Sequence, residues 1–553
     1  MSDGPLIIQS DHTLMLEVAH PRYEAARDFL VQFAELVKSP EFIHTYRVTP
    51  LSLWNAAALE ISFAFIEEGL QTFARYDVPA AVLLNMREWY EAYGLLELHP
   101  AENGRLRLTV GDTAVLERIW REKPLQSYWL ERQQNNIFVS AAWRGNLKQA
   151  LIQVGYPVKD LCGYVSGDPL PLALRDVDTI GQSFQLRDYQ TDAVEAFYRS
   201  GRSIGGSGII CLPCGSGKTI IGLGAMARIS ARTLIVTTNN ISVRQWHDEL
   251  LAKTHITSDL IGEYTGMEKA IKPITVTTYQ MLTHRRSKED EFEHLKLFTA
   301  HNWGLIIYDE VHMLPAPVFR ATVEIQSRRR LGLTATLVRE DGREEDVFAL
   351  IGPKRYDVPW RVLEKKGFIA EAFCIEYRVP MSKALAMKYA LAQKRAQFRI
   401  AAENSDKTTL VEELLELHQG EHILVIGQFI AQLEKLAKAL NAPIITGKTK
   451  HSEREVLYDA FKAGEITVLV VSKVANFAVD LPDANVMIQV SGTYGSRQEE
   501  AQRLGRILRP KEQASHFYTL VSRGSREQEF GVKRQMFLVE QGYRYEIRYY
   551  DAA

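Results

Sequence analysis

The sequence predicts an α/β protein with two tandem, doubly wound lobes built on parallel sheets, preceded by smaller accessory α+β modules. Short, continuously apolar segments alternate with helical segments from about residue 181, and the same alternation returns after residue 408. Strands of a parallel sheet are covered on both faces and therefore appear as unbroken apolar runs. The runs are GIICL, TLIVTT, PITVTTY and GLIIYDE in the first block, and HILVIG, PIIT, TVLVVS and NVMIQVS in the second. A chain of 553 residues has room for about three to five domains, so two lobes and accessory modules fit.

The bulk composition is that of an ordinary globular protein. Hydrophobic residues make up 46% and charged residues 24% of the chain, which suffices for several buried cores. The formal net charge is -2, from 66 basic and 68 acidic residues, so any binding of phosphate has to come from local patches. Four cysteines are too few for a disulfide scaffold. Cys211 and Cys214 have CxxC spacing, but Cys211 lies in an apolar strand and no second pair exists, so redox or metal chemistry is not favoured there.

Targeting signals are not recognisable in the sequence. The N-terminal segment MSDGPLIIQSD lacks the basic start of a signal peptide. No apolar run reaches the ~18–20 residues of a membrane span. We therefore expect a cytoplasmic protein with no membrane partner.

Residues 1–100 are predicted to form an accessory domain. A short strand at 14–18 precedes helical stretches at 51–65 and 80–93, and the strand LRLTV follows, an order typical of a winged-helix-like module. Residues 101–180 are predicted to contain a second small α+β module that ends in a linker. The linker, VSGDPLPLALRDVDTIGQSF, is rich in Gly, Pro and Asp and has little periodicity.

The strongest local motif is LPCGSGKT, which follows an apolar strand and precedes the helical segment TIIGLGAMA. This is the context of a P-loop, in which glycines let backbone amides approach phosphate oxygens. Lys218 would contact the β and γ phosphates, and the Thr219 hydroxyl would bind Mg²⁺. The strict pattern has glycine at the first position, where this chain has Leu212, so a glycine turn without nucleotide is the alternative. The predicted nucleotide-binding residues of this loop are Leu212, Pro213, Cys214, Gly215, Ser216, Gly217, Lys218 and Thr219. A second GKT at 447–449 lacks the upstream glycines and is predicted to be a plain loop.

Two acids end the apolar strand in LIIYDEVH. Ligands of parallel sheets bind at the carboxyl edge, where these side chains are expected to lie. Asp309 would hold Mg²⁺ and Glu310 would polarise the attacking water. A solvated turn is the alternative, but a P-loop about ninety residues upstream favours the catalytic interpretation.

A third motif, QRLGRILR, places two arginines and a glutamine on one helical face. Gln502, Arg506 and Arg509 have the spacing i, i+4 and i+7. The arginines could project toward a phosphate bound on the other lobe and stabilise charge in phosphoryl transfer. A solvated basic face is the equally weighted alternative.

The set and order of these motifs resemble those of the superfamily-two helicases, and in particular the xeroderma pigmentosum group B helicases and their bacterial members. The resemblance covers nearly the whole chain. It implies two RecA-like lobes, with an ATP-binding lobe 1 at 181–365, a thumb-like helical insertion at 366–407 and a lobe 2 at 408–553. It also implies a damage-recognition-like module within 101–180.

The roles of the family's motifs carry over to matching residues. LRDYQ resembles the adenine-reading motif, TVTTYQML a strand-contacting motif, LTAT the element that couples hydrolysis to lobe movement, and SKVANFAVDLPDANV motif V. The residues concerned are Arg187 and Gln190 for the base, Thr277 and Thr278 for the DNA strand, and Thr334, Thr336 and Asp480 for coupling.

Two further segments resemble parts of this family that contact or open DNA. The segment after LTAT is similar to the family's RED loop, and the segment from residue 380 is similar to its thumb; an exposed charged loop and a solvated helix face are the alternatives. The residues are Arg339, Glu340 and Asp341 in the loop, and Lys388, Lys394, Arg395 and Arg399 in the thumb.

The resemblance implies an ATP-dependent DNA helicase with 3′ to 5′ polarity that uses ATP and Mg²⁺. It further implies a monomer acting on duplex or forked DNA in repair, with a nuclease or repair protein as partner. Two alternatives stay open: an RNA helicase or remodelling ATPase, and a nucleic-acid-binding scaffold with weak ATPase activity. A restriction-enzyme motor subunit is less favoured, because no nuclease-type cluster of acids and lysine stands out.

Overall fold

The structure is a computed structural model. It describes residues 4–39, 42–213, 215–285, 287, 290–335, 342–358, 360–368, 371–472, 484–491, 514–529, 531, 535, 538 and 545–551. Four sheets organise these residues, two of them small and two with seven strands each. Among the described residues, no helix is long and apolar enough to cross a membrane.

The first module contains a four-stranded antiparallel sheet in the order β1-β2-β4-β3. Its strands β1 to β4 are Leu6–Ile8, Thr13–Glu17, Glu35–Lys38 and Ile43–Arg47. Its helices α1 to α4 are Tyr23–Leu30, Pro50–Ala58, Phe63–Phe73 and Ala80–Leu95. The single helix expected at 51–65 is two helices, because Glu60 adopts a left-handed conformation (φ 64°) and the Ser62 hydroxyl caps the start of α3.

The second module contains a five-stranded sheet in the order β7-β8-β6-β5-β9. Its strands β5 to β9 are Leu96–Pro100, Arg105–Val110, Trp129–Gln133, Asn136–Ser140 and Val158–Asp160, and its helices α5 to α7 are Thr113–Arg121, Lys123–Gln126 and Arg144–Gln153. The segment LRLTV lies in β6, which pairs with β5 and β8. It is therefore not a wing of the first module, and the winged-helix-like interpretation is wrong on this point.

The segment predicted as a linker packs along the neighbouring lobe. Leu170 and Leu172 are buried in that lobe's core. Short bridges join Pro169 to Ala231 and Leu174 to Thr254. The segment thus contributes apolar surface and backbone pairing, although its composition is that of a flexible connection.

Lobe 1 is built on a seven-stranded sheet in the order β12-β13-β11-β14-β15-β10-β16, with every pair parallel. Its strands β10 to β16 are Ser207–Cys211, Thr233–Thr237, Ile261–Tyr264, Ile274–Thr278, Leu305–Asp309, Arg329–Thr334 and Lys354–Asp357. Its helices α8 to α15 are Asp188–Tyr198, Lys218–Ile229, Asn240–Lys253, Tyr279–Leu282, Leu297–Ala300, Ala316–Glu324, Glu344–Leu350 and Trp360–Lys365.

Lobe 2 is built on a second seven-stranded parallel sheet, in the order β19-β20-β18-β21-β22-β17-β23. Its strands β17 to β23 are Ala372–Val379, Ile423–Gly427, Ile444–Ile445, Val468–Ser472, Val486–Gln489, Ser515–Ser522 and Tyr545–Tyr549. The described helices α16 to α20 are Lys383–Leu391, Lys394–Ala402, Asp406–Leu417, Ile430–Ala439 and His451–Lys462. These two parallel sheets confirm the predicted fold class.

One strand of lobe 2 lies in the range predicted as a helical insertion. β17 hydrogen-bonds to β22 on one side and β23 on the other, so it is an internal strand of the sheet. The part of 366–407 that resembles a thumb is therefore confined to α16 and α17, which follow β17 directly.

Candidate nucleotide-binding site

Three predicted motifs meet at one edge of the lobe 1 sheet. β14, β15 and β10 are neighbours and run parallel, so their carboxyl ends lie side by side. β10 leads into the glycine-rich loop, β14 ends at Asp309, and β15 ends at Thr334. The sequence order separates these segments by as many as 120 residues or so, but the sheet order brings them together.

The glycine-rich loop has the backbone that its sequence predicts. Gly215 and Gly217 both have φ 80°, a left-handed conformation that glycine adopts without a steric cost. Ser216 is buried, and its hydroxyl donates to the Pro213 carbonyl oxygen at 2.6 Å. Lys218 then begins α9, a helix of 12 residues, whose N-terminus favours an anion.

Leu212, which replaces the glycine of the strict P-loop pattern, is accommodated in the core. Its amide donates to the Thr334 carbonyl oxygen at 2.9 Å, which continues the pairing of β10 with β15. Its side chain is buried among apolar residues of lobe 1. With Leu212 in the core, Gly215 and Gly217 still have the left-handed conformation expected of this loop.

The Lys218 ammonium lies between the loop and the acid pair. Its Nζ is 3.4 Å from the Leu212 carbonyl oxygen and 3.6 Å from Oε1 of Glu310. The side chains of Lys218 and Glu310 are 10% and 17% exposed. Glu310 itself has a left-handed backbone (φ 52°, ψ 55°), a strained conformation for a residue with a side chain.

Asp309 is a partly buried carboxylate. Burial, with the adjacent Glu310 carboxylate as the next cause, raises the pKa of Asp309 to about 6. The Trp246 indole N–H donates to Oδ2 at 3.0 Å, and the Tyr279 hydroxyl donates to the backbone carbonyl of Asp309 at 3.0 Å. Two neighbouring carboxylates beside one ammonium leave excess negative charge, which suits a hard divalent cation with oxygen ligands. The chemistry of the two carboxylates fits Mg²⁺, and Thr219, the second residue of α9, stays a predicted ligand.

His312 connects the acid pair to the end of β15. Its Nδ1 lies 2.7 Å from the Thr334 hydroxyl and 3.5 Å from Oε2 of Glu310. Sequence reasoning did not single out His312 or Trp246. The position of His312, two residues after Glu310, could have indicated its place in the site. Nothing in the sequence indicated that Trp246 contacts Asp309.

The two residues predicted to contact adenine lie beside the glycine-rich loop. The Gln190 side chain is buried; its Oε1 accepts from the Arg187 amide at 3.0 Å, and its Nε2 donates to the Ser216 carbonyl oxygen at 3.1 Å. The Arg187 guanidinium lies over the Phe368 ring, 5.2 Å from its centroid. The Tyr189 hydroxyl also donates to the Ser216 carbonyl oxygen, at 2.6 Å. Gln190 and Tyr189 thus hold the glycine-rich loop through its Ser216 carbonyl oxygen.

The residues predicted to contact DNA fall into two groups. The Thr277 hydroxyl is buried and donates to the Tyr264 carbonyl oxygen at 2.7 Å. Thr278 is also buried, and its hydroxyl accepts from the Met281 amide at 3.0 Å to cap α11. Both hydroxyls take part in local backbone hydrogen bonding, and the contact of these two residues with DNA stays a prediction from the sequence.

The basic residues of α16 and α17 lie at the surface. Lys388 and Lys394 are exposed, and Arg399 is paired with Glu403 at 2.7 Å. Nothing is described for the side chain of Arg395, although its backbone belongs to α17. These helices therefore carry exposed cationic side chains, and their contact with DNA stays a prediction from the sequence.

Several predicted site residues lie outside the described residues, and their roles stay predictions from the sequence. They are Cys214, Thr336, Arg339, Glu340, Asp341, Asp480, Gln502, Arg506 and Arg509.

Two motifs for which no chemistry was predicted, the CxxC spacing at Cys211 and the second GKT, have structural roles. Cys211 is buried and its thiol donates to the Ala335 carbonyl oxygen at 3.5 Å; burial raises the pKa of this thiol, which opposes redox chemistry. In the second GKT, the Arg454 guanidinium donates to the carbonyl oxygens of Gly447 and Thr449. That turn presents carbonyl groups to an arginine and is a plain loop, as predicted.

The fold and this site define a two-lobed P-loop motor of the helicase class, and comparison with known proteins identifies the family. The profile of the ERCC3/RAD25/XPB C-terminal helicase matches residues 363–550. The profile described as type III restriction enzyme, res subunit, matches residues 183–339, and one described as helicase conserved C-terminal domain matches residues 6–134.

Full-length relatives agree with these profiles. The "DNA 3'-5' helicase XPB" of Kineococcus radiotolerans is 51% identical, over 99% of this chain and 97% of the relative. The protein of the same name from Mycobacterium tuberculosis is 50% identical, over 99% of this chain and 98% of the relative. A "General transcription and DNA repair factor IIH helicase/translocase subunit XPB" from Enterocytozoon bieneusi is 32% identical, over 98% and 92%. The chain belongs to the XPB helicase family.

Proposed function

We propose that this chain is an ATP-dependent DNA helicase that moves 3′ to 5′ and opens duplex DNA, in the service of DNA repair. The observation that carries the proposal is the meeting of the P-loop, the acid pair and Thr334 at one sheet edge. Relatives about 50% identical over the whole chain bear the name of a DNA 3'-5' helicase, which supports the substrate and the polarity.

In this proposal ATP is held mainly by lobe 1. The amides of the glycine-rich loop and the N-terminus of α9 bind the phosphates, and Lys218 contacts the β and γ phosphates. Gln190 and Arg187 are the candidates for contact with the base. Thr219 and Asp309 would hold Mg²⁺, which would neutralise charge on the β and γ phosphates.

The ion pair between Lys218 and Glu310 suggests how substrate binding prepares the general base. The ammonium lies 3.6 Å from the Glu310 carboxylate. The γ phosphate offers that ammonium a stronger partner. Glu310 is then released to accept a hydrogen bond from the attacking water and to orient it for in-line attack.

His312 and Thr334 provide a path from this chemistry to lobe movement. His312 Nδ1 bonds the Thr334 hydroxyl, and Thr334 lies at the end of β15, just before the segment that resembles the RED loop. A change at Glu310 is therefore passed to the strand that leads to the predicted DNA-opening loop. Gln502, Arg506 and Arg509 are proposed to complete the site from lobe 2 when the lobes close.

We further propose that duplex or forked DNA lies against the basic face of α16 and α17, with a nuclease or another repair protein as partner. The exposed Lys388 and Lys394 support the DNA contact. We propose a monomer that works in the cytoplasm.

The deciding experiment measures ATP hydrolysis by the full chain with no nucleic acid, single-stranded DNA, duplex DNA and RNA. Strand separation is measured in parallel on duplexes with a 3′ or a 5′ single-stranded tail. We expect stimulation by DNA and opening of the 3′-tailed duplex. Equal stimulation by RNA would favour the RNA-remodelling alternative, and binding of DNA without hydrolysis would favour the scaffold.

A further inference from the structure

Lobe 2 contains a cluster of two histidines and a glutamate at the edge of its sheet formed by the amino ends of the strands. His418 directly follows α18, Glu421 lies just before β18, and His516 is the second residue of β22. One possible ligand atom from each residue can be chosen so that all three lie within 4.8 Å of one another. These are the amino ends of the strands, whereas the motifs of the ATPase lie at carboxyl ends.

A tight turn brings the first two residues of the cluster together. The Glu421 amide donates to the His418 carbonyl oxygen at 3.1 Å, and Gly420, third in this turn, has φ 88°. A left-handed third position requires glycine in a turn of this kind. The turn places Oε1 of Glu421 3.2 Å from Nδ1 of His418.

The His418 ring is held by a buried tyrosine. Its Nε2 lies 2.8 Å from the Tyr518 hydroxyl. A histidine that binds a metal through one nitrogen commonly uses the N–H of the other for such a supporting hydrogen bond. With Nε2 beside the Tyr518 hydroxyl, Nδ1 is the nitrogen that lies next to Glu421.

The His516 ring stacks on two aromatic rings and has an unsatisfied nitrogen. It stacks on Phe373 at 5.3 Å and 20° and on Tyr518 at 6.1 Å and 8°. Its centroid is 4.7 Å from that of His418. Within the described part of the chain, Nδ1 of His516 is buried and makes no hydrogen bond, which is uncommon for a polar atom in a folded protein.

We propose that His418, Glu421 and His516 form a binding site for a divalent transition metal ion of the zinc type. Two imidazole nitrogens and a carboxylate oxygen are a ligand set that such ions accept, with water as the fourth ligand. Ligand atoms around a tetrahedral ion with bonds of ~2.0–2.1 Å lie about 3.4 Å apart. The spacing between Glu421 and His418 already matches this, and a small movement of the partly exposed His516 and Glu421 side chains closes the set.

Such an ion would tie α18 to β22 at a second point. Lys407 lies in the first turn of α18, at the end of the helix away from His418. Its ammonium is 2.8 Å from the Glu527 carboxylate and 3.0 Å from the Val490 carbonyl oxygen. Glu527 in turn accepts from the Ser522 amide, at the end of β22. The ion and this ion pair would hold the helix and the strand together at both ends, so the ion stabilises lobe 2 and takes no part in hydrolysis.

The test is Zn²⁺ binding to the metal-stripped full chain by calorimetry, with Co²⁺ absorption to report tetrahedral geometry. We expect one equivalent to bind the unmodified protein, and His516→Phe, which keeps the ring stacking, to weaken binding at least about 100-fold through loss of a ligand. Glu421→Gln and Tyr518→Phe are expected to weaken it by about 10-fold or more. His422→Phe, at a neighbouring histidine outside the cluster, is the matched control and should leave the affinity unchanged.

Two further readouts separate a lost site from a damaged fold. Zn²⁺ should raise the melting temperature of the unmodified protein and not that of His516→Phe. ATP hydrolysis with Mg²⁺ in zinc-free buffer should be equal in both. The proposal is overturned if the unmodified protein binds no Zn²⁺ at micromolar concentrations, or if His516→Phe and His422→Phe bind it equally.

Discussion

Numbered from the first strand of each lobe, the sheets of lobe 1 and lobe 2 have the same order, 3-4-2-5-6-1-7. The chain leaves strand 1 differently in the two cases. In lobe 1, β10 leads into the glycine-rich loop and α9. In lobe 2, β17 leads into α16 and α17, the helices that resemble a thumb. One framework thus carries the phosphate loop in one lobe and a candidate DNA contact in the other.

The two lobes also treat a lysine at this edge differently. Lys407 in lobe 2 is 0% exposed and lies 2.8 Å from Glu527, which is 3% exposed. Lys218 in lobe 1 is 10% exposed and lies 3.6 Å from Glu310, which is 17% exposed. The tight, buried pair serves the fold, whereas the longer, accessible pair leaves both charges able to turn to a ligand. The candidate site therefore contains the longer and less deeply buried of the two ion pairs.

The largest expected effect is that of Lys218→Ala. Loss of the ammonium among the phosphates should reduce ATP hydrolysis on the order of 10³-fold or more, because positioning and charge supply most of the catalysis of phosphoryl transfer. DNA-stimulated turnover of the folded variant is the measurement. Lys448→Ala, in the second GKT, is the control and should hydrolyse ATP normally; a similar loss in both variants would contradict the assignment of the P-loop.

The reverse pattern is expected for the lysine of lobe 2. Lys407→Met leaves the Glu527 carboxylate buried and unpaired, which costs about 3–5 kcal/mol of unfolding free energy. Urea titration of the full chain is the measurement, with Lys435→Met, at an exposed lysine of α19, as the control. Adding Glu527→Met should recover most of the loss, since no buried charge then lacks a partner. An unchanged free energy of unfolding in Lys407→Met would mean that the pair of Lys407 with Glu527 does not stabilise lobe 2.

A smaller effect is expected at the junction between hydrolysis and movement. Thr334→Val keeps the shape of the side chain but removes the hydroxyl that bonds His312. Strand separation per ATP hydrolysed should fall by about 10-fold, a coupling loss of ~1.4 kcal/mol, while hydrolysis changes less. Thr322→Val removes another buried hydroxyl of lobe 1, which bonds Tyr308, and should not uncouple the two activities.

The smallest effect is a shift of pH dependence at Asp309. Its pKa is raised to about 6, so the ionised form that Mg²⁺ requires is present above pH 6 and is lost as the pH falls below it. The apparent affinity for Mg²⁺–ATP should therefore weaken about tenfold per pH unit below 6. Trp246→Phe removes a hydrogen bond that favours the ionised carboxylate. In this variant the affinity for Mg²⁺–ATP should therefore begin to weaken at a higher pH.

The comparison with a second tryptophan variant isolates this cause. Trp303→Phe alters another buried tryptophan of lobe 1, whose indole donates to Leu297, and should keep the pH profile of the unmodified protein. Titration of the nucleotide phosphates affects the unmodified protein and both variants equally, so it does not contribute to a difference between their pH profiles. Coincident profiles for Trp246→Phe and Trp303→Phe would show that the indole of Trp246 does not act on Asp309.

The features that the sequence determined by itself are local ones. The turn and helix that follow β10 depend on Gly215, Gly217 and Lys218, which are consecutive or nearly so. The apolar runs of the parallel strands and the acids at the end of β14 are likewise contained in single segments. Conformational preference and burial act within a few residues in these cases, so composition and spacing were sufficient to predict them.

The tertiary structure alone decided which distant segments meet. The bond between His312 and Thr334 joins residues 22 apart, and that between Trp246 and Asp309 joins residues 63 apart. Three other contacts also join segments that are distant in the sequence. They are the pairing of LRLTV with β5 and β8, the pairing of β17 with β22 and β23, and the approach of His516 to His418. Such contacts follow from strand order, and an apolar run has the same sequence pattern wherever in a parallel sheet its strand is placed.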